Sequence, residues 1–229
     1  MLEHNGRQFE VIESSRTTLS LILDRDGRFT IRCPVNTSED ELLSLIDRKY
    51  EWIQRKYLEW EDKQSKKVDV DEVRTIKYLG KRWTIHTTDE VTEIGFSGGK
   101  ICAPLGYFEM NLNERKKLIS KFLTKRGKLK IPDYVKKTAD GLTIQAPDVR
   151  ILDLGFRWGS CSQNQIVNFH WKCLTLPSKV IRYVVSHEVA HLIVPDHSKK
   201  FWRVLEAVSP DYEQHEIWLK NRGINFDLY

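Results

Sequence analysis

The sequence predicts an α+β fold: an N-terminal β-rich part with a long helix, then a C-terminal part in which a β-hairpin packs on a largely apolar helix. Three observations predict it. The first hundred residues hold short apolar-alternating segments bounded by turn residues. A capping-box pattern opens a helical stripe at Ser38. The last third changes to helical spacing after two further strand-like segments. At 229 residues the chain is read as a single unit, 1–229, with subregions over 1–105 and 106–229.

The strands come first. Phe9–Glu13, Leu19–Asp24 and Arg28–Cys33 alternate, and Asp24-Arg25-Asp26-Gly27 supplies a turn between the last two. Ser38, with Glu41 three residues on, caps a long helix whose apolar face is Leu42, Ile46, Ile53, Tyr57 and Trp60. Arg74–Leu79, Trp83–Thr88 and Ile94–Phe96 read as strands, with Gly80 and Gly98-Gly99 at turns. A basic helix is expected from Asn113 to about Asp140, bent between Gly127 and Pro132. Arg150–Trp158 and Ile166–Cys173 form the hairpin, joined by a polar turn around Ser162–Gln165. Three helices close the chain: Pro177–Ile193, about His197–Val208 with Asp196 as its cap, and Pro210 to just before Gly223 as a C′ residue.

Composition narrows the setting. Hydrophobic residues make up 40% and charged residues 30%, a globular balance that excludes a disordered tail. No apolar run approaches the ~20 residues of a membrane span. The N-terminus has neither a basic n-region nor an apolar h-region, so a cytoplasmic protein is expected. Cys33, Cys102, Cys161 and Cys173 show no C-x-x-C pairing and read as reduced, buried thiols. The net charge of +5 is too mild to identify a nucleic-acid partner, and nothing in the composition sets an oligomeric state.

The chemistry concentrates in His187-Glu188-Val189-Ala190-His191. On a helix, residues four apart differ by about 40° around the axis, so both imidazoles leave one face with Cβ atoms roughly 5–6 Å apart. That separation suits two ligands of one tetrahedral zinc ion, and Glu188 stands beside them as a general base. Ile181, Val184, Val185, Val189, Leu192 and Ile193 surround these polar groups, whose burial without partners would be costly. Pro195 ends the helix, and His197 returns as the third ligand, with Glu206, Glu213 and His215 as fallbacks. The spacing of the three histidines is that of metzincins, with Val194 where they carry glycine.

With Arg157-Trp158-Gly159-Ser160-Cys161-Ser162, the stretch Tyr183–Leu192, His197-Ser198, Phe201-Trp202 and Pro210-Asp211-Tyr212, the chain resembles the YgjP-like metallopeptidases, relatives of the WLM and SprT-like zincins. The N-terminal half matches more loosely, through Asp24–Pro34, Trp52-Ile53 and Tyr78-Leu79-Gly80. The resemblance implies a zincin-like C-terminal subregion. It also implies a zinc-dependent hydrolase, with His187, His191 and His197 as ligands and Glu188 as the catalytic residue. Peptide bonds, cut by zinc-activated water, are the expected substrate. The alternatives are hydrolysis of a nucleoside triphosphate phosphoanhydride and a DNA-associated protease of SprT-like type. His170 reads as an ordinary strand residue. Arg157–Ser162 reads as a strand and turn beside the metal cleft, with Trp158 in the core. The basic 115–130 stretch (Lys116, Lys117, Lys121, Lys125, Arg126, Lys128 and Lys130) reads first as a solvated helix face and second as a contact for nucleic acid or nucleotide. Trp52, Tyr57, Trp60, Trp202 and Trp218 read as packing residues.

Overall fold

The computed structural model describes residues 1–24, 27–65, 74–162 and 164–226. The chain separates into two compact units, Met1–Lys67 and Val68–Tyr229. The architecture is α+β, as expected.

In the first unit, β1 (Leu2–His4), β2 (Arg7–Ser14), β3 (Ser20–Leu23) and β4 (Phe29–Pro34) form a sheet in the order β1-β2-β4-β3. β2 and β4 run parallel, so the centre of this sheet is not a simple meander. Of the expected turn, Arg25 and Asp26 lie outside the described residues. At its ends Gly27 N–H donates to the Asp24 carbonyl, and Arg28 N–H to Asp24 Oδ1. The capping box at Ser38 and Glu41 is present and opens α1 (Glu39–Arg48). The expected single helix is two: α1 ends at Lys49, and α2 runs Tyr50–Ser65. Its apolar stripe skips a turn between Ile46 and Ile53, where Lys49 and Tyr50 are exposed and no packing holds one straight axis. Leu42, Ile46 and Ile53 still bury against Phe9, Phe29 and Ile31.

The second unit begins with a sheet ordered β5-β6-β8-β7, from β5 (Thr75–Tyr78), β6 (Lys81–Thr88), β7 (Gly95–Ser97) and β8 (Lys100–Pro104). β8 has no alternating pattern: Ile101, Cys102 and Ala103 are buried in succession, as suits a strand covered on both faces. α3 spans Leu112–Gly141 without a break, with Pro132 inside it and a second capping box at Asn111 and Glu114. α3 packs on α4 (Ser178–Ala190), where Thr138 Oγ1 and Ser186 Oγ meet at 3.4 Å in the core.

The expected strand Arg150–Trp158 is interrupted. β9 (Asp148–Leu152) stops where Gly155 N–H donates to Asp153 Oδ1 in a turn, and the chain resumes as β10 (Gly159–Cys161). β10 forms the hairpin with β11 (Ile166–His170), while β9 lies parallel on the other side of β11. The hairpin packs on α4. A 3-10 turn over Trp171–Thr175 leads into that helix. α5 (Lys199–Val208) and α6 (Tyr212–Arg222) follow. Gly223 keeps right-handed helical angles and passes into a 3-10 turn, Gly223–Phe226, instead of stopping the chain. No helix among the described residues is long and apolar enough to cross a membrane.

Candidate active site

α4 is buried nearly all round, because β10, α3, α5 and α6 pack against it. Its C-terminal end carries the site. His187 lies in the last turn, His191 is the C-cap residue, and His197 stands in the turn before α5. The three rings converge: centroids lie 4.9 Å (His187–His191), 5.0 Å (His187–His197) and 4.7 Å (His191–His197) apart. One ligand nitrogen from each fits within 4.8 Å of the others.

Local contacts set the tautomers and the charge. His191 Nδ1 lies 3.1 Å from the Val194 carbonyl, so that nitrogen carries the proton and Nε2 keeps a lone pair. His187 Nε2 and His197 Nε2 stand 3.0 Å apart. Two neutral imidazole nitrogens that close share one proton or jointly face a cation. Burial, followed by the proximity of His191 and His197, pushes the His187 imidazole down to about 4, and burial lowers His191 as well. Both rings are therefore neutral donors at pH 7, the form a metal takes. Nitrogens around a tetrahedral zinc stand about 3.3 Å apart, given Zn–N bonds of 2.0–2.1 Å. The donor set fits such an ion.

Phe201, fully buried, packs against all three rings with centroids 4.5–4.9 Å away, stacked on His191 and edge-on to His187 and His197. Trp202 Nε1–H donates to the His197 carbonyl at 3.1 Å, and its ring stacks on Tyr212 at 5.3 Å. The turn that presents His197 is thus held from α5.

Glu188 faces β10. In the hairpin His170 N–H donates to the Trp158 carbonyl and Ser162 N–H to the Ile166 carbonyl. By the antiparallel alternation, the backbone groups of Gly159 and Cys161 point away from β11. Cys161 N–H meets the Glu188 carboxylate there. Gly159 makes the approach possible. A Cβ on it would lie 2.6 Å from Glu188 Cγ and 2.7 Å from Oε1. Burial pushes the Glu188 carboxyl up to about 7, against the opposing pulls of the Arg157 guanidinium and that N–H.

A family model described as YgjP-like, metallopeptidase domain, matches residues 17–222. The chain belongs to the YgjP-like metallopeptidase family. It is thereby a hydrolase of the metallopeptidase class. Two solved structures of metallopeptidase zymogens are similar to parts of this YgjP-like chain. Abylysin of Pyrococcus abyssi is 27% identical, over 39% of this chain and 93% of its own, with a TM-score of 0.35. Jannalysin of Methanocaldococcus jannaschii is 17% identical, over 41% and 96%, with a TM-score of 0.37. No curated protein matches the chain.

Within this YgjP-like domain the fallback residues stay apart: Glu206, Glu213 and His215 do not join the histidine group. Instead, Tyr212 O–H donates to Glu213 and the His215 ring neighbours Tyr183. His170 is a structural residue. Its Nδ1 accepts from Lys172 N–H, which leaves Nε2–H to donate to Asp153. Trp158 is half-buried against the core. Sequence reasoning missed what Gly159, Cys161 and Arg157 do for Glu188. The available signal was a glycine at a strand start, where a missing side chain marks close approach. It also missed Phe201 as the floor of the site.

Proposed function

We propose that this YgjP-like protein is a zinc-dependent peptidase in which His187, His191 and His197 hold the ion and Glu188 is the general base. The observation that carries this reading is the convergence of three imidazoles within 4.8 Å, one residue from a carboxylate seated against a strand edge. Zinc, when bound, supplies Lewis-acid chemistry, acidifying water and polarising a carbonyl oxygen.

The rest is done by the chain's own groups. The imidazoles bind through their ring nitrogens, and the Val194 carbonyl sets the tautomer of His191. Glu188 takes a proton from the attacking water on its carboxylate and returns it to the departing amine. Cys161 N–H keeps that carboxylate pointed at the reacting side. A substrate strand adding to the free edge of β10 meets the outward N–H and C=O of Gly159. The four cysteines form no disulfide, which suits a reducing compartment and favours the cytoplasm.

The test pairs metal analysis of the purified protein with a quenched-fluorescence peptide library, with nucleoside triphosphates and DNA as competing substrates. The expected result is one zinc per chain and peptide cleavage that Glu188→Gln abolishes while zinc is retained. Hydrolysis of triphosphates in place of peptides, or cleavage surviving in E188Q, overturns the reading.

A further inference from the structure

Away from the histidines, the first half of α3 forms one wall of a groove of about 800 Å³. Lys116, Lys117, Lys121, Lys125 and Lys128 line that wall. The opposite side is the end of β9, an edge strand of its sheet, with Ile151, Leu152 and Trp171 as an apolar floor. Two carboxylates also line the groove, and both are engaged within the protein. Glu93 pairs with Lys121 at 2.6 Å, and Asp153 accepts from His170. Among the described residues Lys117, Lys125 and Lys128 reach no carboxylate at ion-pair distance. Leu152 is 43% exposed beside them.

A solvated helix face explains lysines alone, but it does not explain why they stand over an exposed leucine on a strand edge. The surface pairs cationic heads with an apolar strip, which matches a polypeptide alternating carboxylates and apolar side chains. A phosphate backbone fits less well. Every cation lining the groove is lysine, with none of arginine's bidentate forks. Trp171 is buried too deeply to stack on a base.

We propose that this groove docks an acidic, amphipathic segment of a polypeptide. Lys117, Lys125 and Lys128 take its carboxylates, and Leu152 takes an apolar side chain. The further statement that this polypeptide is a substrate rests on the peptidase reading. β9 and β10 flank β11, so the groove lies two strand spacings, about 10 Å, across the sheet from the edge that holds Glu188. A segment docked there raises the local concentration of the attached chain at the catalytic edge.

Binding is measured by fluorescence anisotropy with a labelled (Glu-Glu-Leu)4 peptide on the full chain carrying Glu188→Gln, so that no turnover is needed or awaited. Saturable binding is expected, weakened at least about tenfold by the triple change Lys117→Gln, Lys125→Gln and Lys128→Gln. Leu152→Ser is expected to weaken it about fivefold, with circular dichroism confirming the fold of each variant. A single-stranded oligothymidine that binds more tightly and depends on the same lysines overturns the proposal in favour of nucleic acid. Peptide binding indifferent to Leu152→Ser overturns it in favour of unspecific charge attraction. A protein that cleaves no peptide yet passes these binding tests refutes the peptidase reading and leaves the docking site standing.

Discussion

Replacing Gly159 by alanine places a methyl group against Glu188. The new Cβ would stand 2.6 Å from Cγ and 2.7 Å from Oε1, so the carboxylate must retreat by about 0.8 Å to restore an ordinary 3.4 Å contact. It cannot do so freely, because Glu188 is buried and its carboxylate accepts from Cys161 N–H. A displacement approaching 1 Å at a catalytic group costs on the order of a hundredfold in rate, or about 2.7 kcal/mol of transition-state stabilisation. The overpacking costs about 1–3 kcal/mol of stability in addition, a fall of roughly 2–12 °C in melting temperature for a chain of this size. The assay is kcat on the best peptide from the library, read beside zinc content and a thermal melt. The expected pattern is a hundredfold lower kcat, little change in KM, and unchanged zinc. A G159A enzyme with wild-type kcat would refute the argument that β10 positions the base. Loss of zinc together with activity would show that the change acts on the ligands.

Three further outcomes follow from the same geometry. Trp202→Phe keeps the stack on Tyr212 but deletes the N–H to the His197 carbonyl; zinc affinity by chelator competition should fall about tenfold, and an unchanged affinity would show that bond to be idle. Phe201→Ala opens a void beneath three rings and should lower stability by about 3–5 kcal/mol in urea titrations, a smaller loss indicating that α5 collapses into the space. Asp153 is held well below the ordinary carboxylate range, first by the hydrogen bond from His170. A depressed folded pKa stabilises above the unfolded value and is lost as pH falls through the folded one. Asp153 is largely exposed, so Asp153→Asn should cost no more than about 1 kcal/mol at neutral pH. The gap from wild type should narrow as pH is lowered from about 5 toward 2; a constant gap would assign the loss to packing.

What the sequence revealed depended on how local each feature is. The convergence of His187, His191 and His197 was legible because spacing on one helix and one turn is a short-range property, and the capping box at Ser38 was legible for the same reason. The central strand Lys100–Pro104 was not, since its burial on both faces removes the alternation by which strands are recognised. The parallel pairing of Asp148–Leu152 with Ile166–His170 was hidden by a single Asp153–Gly155 turn inside one apolar run. The seat of Glu188 is a contact between residues 29 positions apart, and a glycine announces such a contact only by what it lacks. Likewise, the lysines of the long helix show their spacing in sequence, but not the exposed leucine opposite them.

The ring of Phe201 has a directional consequence. The buried Phe201 ring stacks on His191 and stands edge-on to His187 and His197, so an apolar group occupies one side of whatever the imidazoles would grip. That ring offers an incoming water no hydrogen-bond partner, so the polar approach to the histidines lies along their other sides.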